Sequence, residues 1–154
     1  MIKLNTKAIF VCLLALFVST AAVAGDCDEV KVLALNMYHE ARGEGPDGMQ
    51  MVGEVTLNRV EHPSYPDNVC DVVYQQSQFS WTQHKADHTP RDKEMWNVAL
   101  KISEDLLNSE IELFDNGATH FLNPKKVAKQ PQWTARLDRV GSIGNHVFYK
   151  LERS

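Results

Sequence analysis

Basic residues are outnumbered in this chain of 154 residues: 16 Lys and Arg face 20 Asp and Glu, for a formal net charge of −4. No basic stripe is visible, which argues against a protein that holds nucleic acid by neutralising phosphates. Mean hydropathy is only −0.32, which excludes a polytopic membrane protein. Cysteine is scarce, at 3, as are Pro at 6 and Gly at 8. Neither a collagen-like nor a low-complexity composition is present, and no internal repeat occurs. No G-x-S-x-G, P-loop or dinucleotide fingerprint is found. Hydrophobic residues make up 44% and charged residues 23%, the composition of one ordinary globular domain.

What the chain does have begins with one long apolar run. Lys3 and Lys7 precede the run from Ala8 to Val18, and Ala22-Val23-Ala24 supplies small residues in an A-x-A pattern. This reads as a secretory signal peptide spanning residues 1–24, with the domain in 25–154. The alternative is an uncleaved anchor, since the apolar stretch is nearly long enough to insert. Cleavage removes two lysines, no acid and Cys12, and leaves Cys27 and Cys70. Two cysteines in an exported chain read as one disulfide. Closing a loop of roughly 40 residues is worth about 3–4 kcal/mol by chain entropy. The bridge is expected to staple two helix starts. Neither cysteine has a histidine placed to activate it as a nucleophile.

Val30, Leu33, Ala34, Met37, Tyr38 and Ala41 recur at i, i+3, i+4, i+7, predicting a helix over 28–42 that Gly43 and Gly45 stop. Pro46 and Asp47 open a second helix to about Val60. It is apolar nearly all round and therefore buried and central. Gly48 and Gly53 are expected to let neighbours approach it closely. A turn-rich stretch over 62–67 and a short helix from about Asn68 to Gln76 follow. Residues 77–88 are polar and aromatic without periodicity. Thr89-Pro90-Arg91-Asp92 reads as a cap, an N1 proline and a capping-box acid for a third long helix through Leu107. Thr119–Leu122 and His146–Tyr149 read as short strands. The class is α+β, mainly α, with a small extended C-terminal portion.

The densest chemistry lies in Tyr38-His39-Glu40-Ala41-Arg42-Gly43-Glu44. At ~100° per residue, Glu40 falls at the edge of the apolar stripe, half sunk against the core. It also sits in the last helical turn, at the negative end of the dipole. Both effects raise a carboxyl pKa. An acid still protonated near neutral pH is what breaking a glycosidic bond needs. The competing reading is a helix-end glutamate paired with Arg42 or Lys31. Glu44, four residues on, is too close to bracket a sugar with Glu40, and reads as a supporting or structural acid.

Histidines offer less. His39-Glu40 fails the zinc-protease H-E-x-x-H pattern, because position 43 is Gly43. His84 and His88 could ligate a metal if helical, but their stretch reads as a solvated loop. No metal or other cofactor is expected. The aromatic clusters Phe79-Ser80-Trp81 and His120-Phe121-Leu122-Asn123, with Trp133, suit sugar faces and hydroxyls, although aromatic rings more often pack in a core.

The ordered series Tyr38 to Glu44, Leu57-Asn58-Arg59-Val60, Tyr65-Pro66, Gln78-Phe79-Ser80, Phe121-Asn123-Pro124 and Ile143-Gly144-Asn145-His146-Val147-Phe148-Tyr149 resembles the SleB/CwlJ cell-wall hydrolases. The resemblance covers about residues 30 to 150. It implies a compact lysozyme-like fold acting on the glycan strand of peptidoglycan, and places the family's catalytic acid at Glu40. The helical-wheel argument and the resemblance thus meet on one residue. Family members similar to the spore enzymes act as lytic transglycosylases, which need only one acid. Glu44, Arg42, Phe79, Ser80, Trp81, Phe121 and Asn123 are the candidate substrate-binding residues. The expected protein is an exported monomer of the periplasm, cell wall or extracellular space, with peptidoglycan as its partner. A hydrolytic muramidase, a metal-dependent amidase using His84, His88 or His120, and a non-catalytic wall-binding module are the rivals.

Overall fold

The computed structural model describes residues 27–151, so the expected signal segment lies outside the described residues. Four helices and three strands follow one another: α1 (Glu29–Ala41), α2 (Gly45–Val60), α3 (Val69–Tyr74), α4 (Lys93–Leu107), β1 (His120–Leu122), β2 (Asp138–Ile143) and β3 (His146–Lys150). The class is α+β and mainly α, as the sequence implied. Among the described residues no helix is long and apolar enough to cross a membrane.

Local chemistry sets the helix ends. Asp28 caps α1 by accepting from Lys31 N at 3.0 Å, and Asn68 caps α3 by accepting from Asp71 N at 2.8 Å. Cys27 and Cys70 are joined, with Cα atoms 6.5 Å apart. The bridge therefore ties the approach to α1 to the first turn of α3, as expected. One helix start is corrected. The cap of α4 is Asp92, which accepts from Met95 N at 3.1 Å, and not Thr89. The reason lies in α1: the Tyr38 hydroxyl accepts from both Arg91 N and Asp92 N, at 3.1 and 3.0 Å. Those two amides are spent on a distant side chain, so the strap 89–92 runs extended and the helix starts three residues late.

Helices α1, α2 and α4 enclose the main core, in which Leu33, Met37, Met49, Val52, Val73, Phe79 and Ala99 are almost wholly buried. Gly53 lets α2 approach its neighbours closely, since a Cβ there would stand 2.5 Å from Leu106 Cδ1 and 2.7 Å from Met37 Sδ. The opposite face of α2 carries Met51 and Val55, which meet Ala118 and Phe148 in a smaller core under the sheet. So α2 is the shared wall of both cores, and its apolar circumference is explained.

The sheet is antiparallel with order β1-β3-β2, His120 opposite Tyr149 and Ile143 opposite His146. Strand β2 has no counterpart in the sequence reading. It is an edge strand with a register irregularity between Arg139 and Gly141 and little buried surface, so it lacks apolar alternation. Gly144, at φ +55°, opens the two-residue turn into β3, a position that favours glycine. Arg59 Nε donates to Thr119 O at 2.7 Å and Asn58 Nδ2 to Ala118 O at 2.9 Å, tying the end of α2 to the approach to β1.

Candidate active site

A cleft of about 390 Å³ opens where the last turn of α1 faces the sheet. From the helical side it is lined by His39, Glu40, Ser80 and Trp81, and from the strand side by Phe121, Leu122, Asn123, Lys126, Val127 and His146. Residues widely separated in sequence therefore converge on the one carboxylate that lines it.

Glu40 is half-buried. Among the described residues its carboxylate has no hydrogen-bond donor and no ion-pair partner. Burial is the largest influence on it and holds its pKa above the ordinary glutamate value, while the Lys126 and Arg59 charges pull the other way. The expected direction is present, with burial as its leading cause, and the side-chain charges that act on Glu40 are cations. Desolvation alone outweighs them.

Glu44 behaves oppositely. It lies in the 3₁₀ turn Arg42–Glu44 and reaches across to the β2–β3 turn. There Asn145 N donates to Glu44 Oε2 at 2.8 Å, and Asn145 Nδ2 to Oε1 at 3.2 Å. The backbone bond from Asn145 is the main reason its pKa is lowered. Two carboxyls four residues apart are thus pushed in opposite directions, one toward the acid form and one toward the ion. Lys125 Nζ donates to Asn145 Oδ1 at 2.8 Å, so Asn145 also anchors the turn that carries Lys126. Asn145 stands in the closing motif of the resemblance, but nothing in the sequence marked it as the partner of Glu44.

On the helical side, Trp81 is 9% exposed. Its indole N–H donates to Asn36 Oδ1 at 2.9 Å, and Asn36 Nδ2 donates to Thr56 Oγ1 at 3.1 Å. Its other face stacks on His39, with ring centroids 4.7 Å apart. Burial holds the His39 pKa down, so this ring is neutral near pH 7. His146 is 4% exposed, and its Nδ1 has no partner among the described residues. Burial lowers its pKa also. Lys126 and His146 were missed by the sequence reading. A lysine in a polar turn carries no signal, and His146, though part of the closing motif, is not marked as a cleft residue until the fold brings both to the cleft that Glu40 lines.

Of the expected site residues, Glu40, Ser80, Trp81, Phe121 and Asn123 line the cleft. Three do not. Phe79 is 2% exposed and belongs to the main core, because an aromatic ring in a polar loop gains more by burial than by waiting for ligand. Arg42 lies over the Tyr38 ring at 5.0 Å, on the outside of α1. Glu44 is the clasp just described. Trp133 packs against His120 and Tyr149, away from the cleft. Among the described residues no three His, Cys, Asp or Glu side chains are grouped to hold a metal ion. His84 and His88 meet through a backbone bond instead, His88 Nε2 donating to His84 O at 2.9 Å.

The sequence profile of the cell wall hydrolase family matches residues 43–149. The chain belongs to the cell wall hydrolase family. The matched segment starts just beyond Glu40 and contains the whole strand-side wall of the cleft. Among curated relatives, the spore cortex-lytic enzyme of Halalkalibacterium halodurans is 30% identical over 131 residues, covering 84% of this chain and 37% of the relative. That of Bacillus subtilis is 25% identical over 123 residues, covering 79% and 37%. This chain therefore spans less than half the length of the curated relatives it matches. Among solved structures, the catalytic domain of the germination-specific lytic transglycosylase SleB from Bacillus anthracis superposes with a TM-score of 0.65 at 26% identity, covering 82% of this chain and 98% of that domain. The catalytic domain of the Bacillus cereus SleB protein gives 0.64 at 27% identity, covering 79% and 89%. The hydrolase fold is lysozyme-like, as the motif series implied.

Proposed function

We propose that this chain cleaves the glycan strand of peptidoglycan between N-acetylmuramic acid and N-acetylglucosamine, as a lytic transglycosylase. The observation that carries the reading is the single carboxyl in the cleft, raised in pKa by burial, with sheet-side polar groups facing it. Glu40 gives its proton to the glycosidic oxygen as the C1–O bond breaks. The carboxylate so formed is steadied by the Lys126 and Arg59 charges. It then takes the proton of the muramic 6-hydroxyl, whose oxygen closes on C1. The products are a new free hydroxyl and a 1,6-anhydro end, with no water consumed. Ser80, Asn123 and His146, which line the cleft, are the groups proposed to bond sugar hydroxyls, with apolar contact from Trp81 and Phe121. The residues proposed for cleavage all belong to one chain, so the reading is of a monomer. Such an enzyme works outside the cytoplasm, in keeping with the export signal read in residues 1–24 and with the disulfide.

A hydrolytic muramidase needs a positioned water, and Glu44, the candidate helper for it, is bound to Asn145 instead. Mass spectrometry of the muropeptides released from purified sacculi tests the proposal. Anhydro-muramic ends are expected; reducing muramic ends overturn the transglycosylase step, and binding without soluble products overturns catalysis altogether. Activity that chelators abolish would point to the amidase.

A further inference from the structure

A second depression, of about 400 Å³, lies beside the cleft and takes no part in the reaction described. Leu35, Pro90 and Trp96 form its apolar floor, Lys31 and Lys93 flank it, and among the described residues no acidic side chain lines it. In a chain of net charge −4 this is a local reversal of sign. Among the described residues neither lysine has a carboxylate within ion-pair distance. We infer that this depression binds the carboxylate-bearing stem peptide attached to the muramic sugar held in the cleft. The inference rests on the glycan-strand reading of the cleft.

Continuity between the two hollows supports it. His88 lines the second depression, and its ring lies 5.5 Å from His39 and 5.2 Å from Trp81, both of which line the cleft. His39, His88 and Trp81 thus form part of the partition between the two hollows. Lys31, Leu35 and His39 are spaced four apart on α1, and so share one face of it. At ~1.5 Å rise per residue, Lys31 lies about 12 Å along the helix from His39. An extended peptide covers ~3.3 Å per residue, so about four residues leaving the cleft reach the level of Lys31. Peptidoglycan stems are of this length and carry free carboxylates. Alternating apolar and carboxylate groups match the floor and its flanks.

The rim is also fixed before any ligand arrives. The Tyr38 hydroxyl holds the strap through Arg91 N and Asp92 N. Trp96 packs edge-on against the Tyr38 ring at 6.2 Å. His39 Nε2 donates to His88 O at 3.0 Å, which pins the partition. A site already in shape loses little entropy on binding.

The test compares kcat/KM on glycan strands bearing stem peptides with that on the same strands stripped of them, for the wild type and for the Lys31→Glu/Lys93→Glu double variant. The wild type is expected to prefer stem-bearing strands by about fivefold or more, and the double variant to lose most of that preference. No preference in the wild type, or an equal preference in both proteins, overturns the inference. A free stem tetrapeptide provides the arm that does not depend on catalysis. Its addition to the wild-type protein is expected to shift the Trp96 indole resonance, and to do so much less in the double variant. No shift at millimolar peptide overturns the subsite. Wild-type protein that cleaves neither kind of strand overturns the reading of the cleft, and leaves the indole shift to decide the subsite by itself.

Discussion

On the helical side of the cleft, Trp81, Asn36 and Thr56 form a buried chain of hydrogen bonds that ends on the carbonyl of Val52. On the strand side, the polar wall hangs from half-exposed bonds between Asn145 and Glu44. Buried bonds are expensive to break because the stranded partner cannot turn to water; half-exposed ones are replaced by solvent at little cost. Under the proposed function, the carboxyl that must keep its position and its proton is on the firm side, and the residues that would receive the glycan strand are on the side that can yield. Both walls share α2, which lends one face to each core.

The sharpest break in this comparison is at Glu40. Glu40→Gln is expected to lower the rate of sacculus lysis by about a thousandfold, within the range for a lost general acid. Folding should not suffer. A carboxyl whose folded pKa is raised costs stability as pH climbs from its unfolded value through its folded one. The variant should thus match the wild type in acid and exceed it slightly in Tm near neutral pH. Thermal unfolding against pH checks the sign.

Next in size is the disulfide. Cys27→Ser/Cys70→Ser is expected to lose about 3–4 kcal/mol, read by urea titration, since the bridge closes a separation of 43 residues. Asn36→Ala strands the Trp81 indole N–H in a dry interior and should cost about 2–3 kcal/mol. Lysis should fall with it, because Trp81 both lines the cleft and backs His39. On the yielding side, Glu44→Gln should cost only about 0.5–1 kcal/mol, as expected for half-exposed charged bonds. Its sign against pH is opposite to that of Glu40. The Glu44 pKa is lowered in the fold, so its contribution is present above the ordinary glutamate range and is lost as pH falls through the folded value. The Tm gap between wild type and Glu44→Gln should be open at pH 7 and close in acid. Equal losses for Asn36→Ala and Glu44→Gln would erase the distinction between the two walls.

The same division explains what was legible in the sequence. α1, α2 and α3 were readable because long apolar periodicity and local caps such as Asp28 and Asn68 act within a few residues. The start of α4 was misplaced because Tyr38, far away in the chain, claims the amides of Arg91 and Asp92. β2 was not read because an exposed edge strand is held by its partner rather than by its own side-chain pattern. In the cleft, Glu40 was legible from its helical phase. Lys126, Asn145 and His146 were not, since each gains its role only when the turn after β1 and the β2–β3 turn come together beside the end of α1. Phe79 misled for a simpler reason: polar neighbours in sequence concealed a ring that the core takes in space.

The most direct measurement is an NMR titration of the Glu40 side-chain carboxyl in the folded wild-type protein, with Glu44 followed in the same spectra. The midpoint for Glu40 should lie above the usual glutamate value and that for Glu44 below it. A Glu40 that ionises at or below the usual value would mean that nearby cations outweigh burial, and would leave the proposed cleavage without its proton donor.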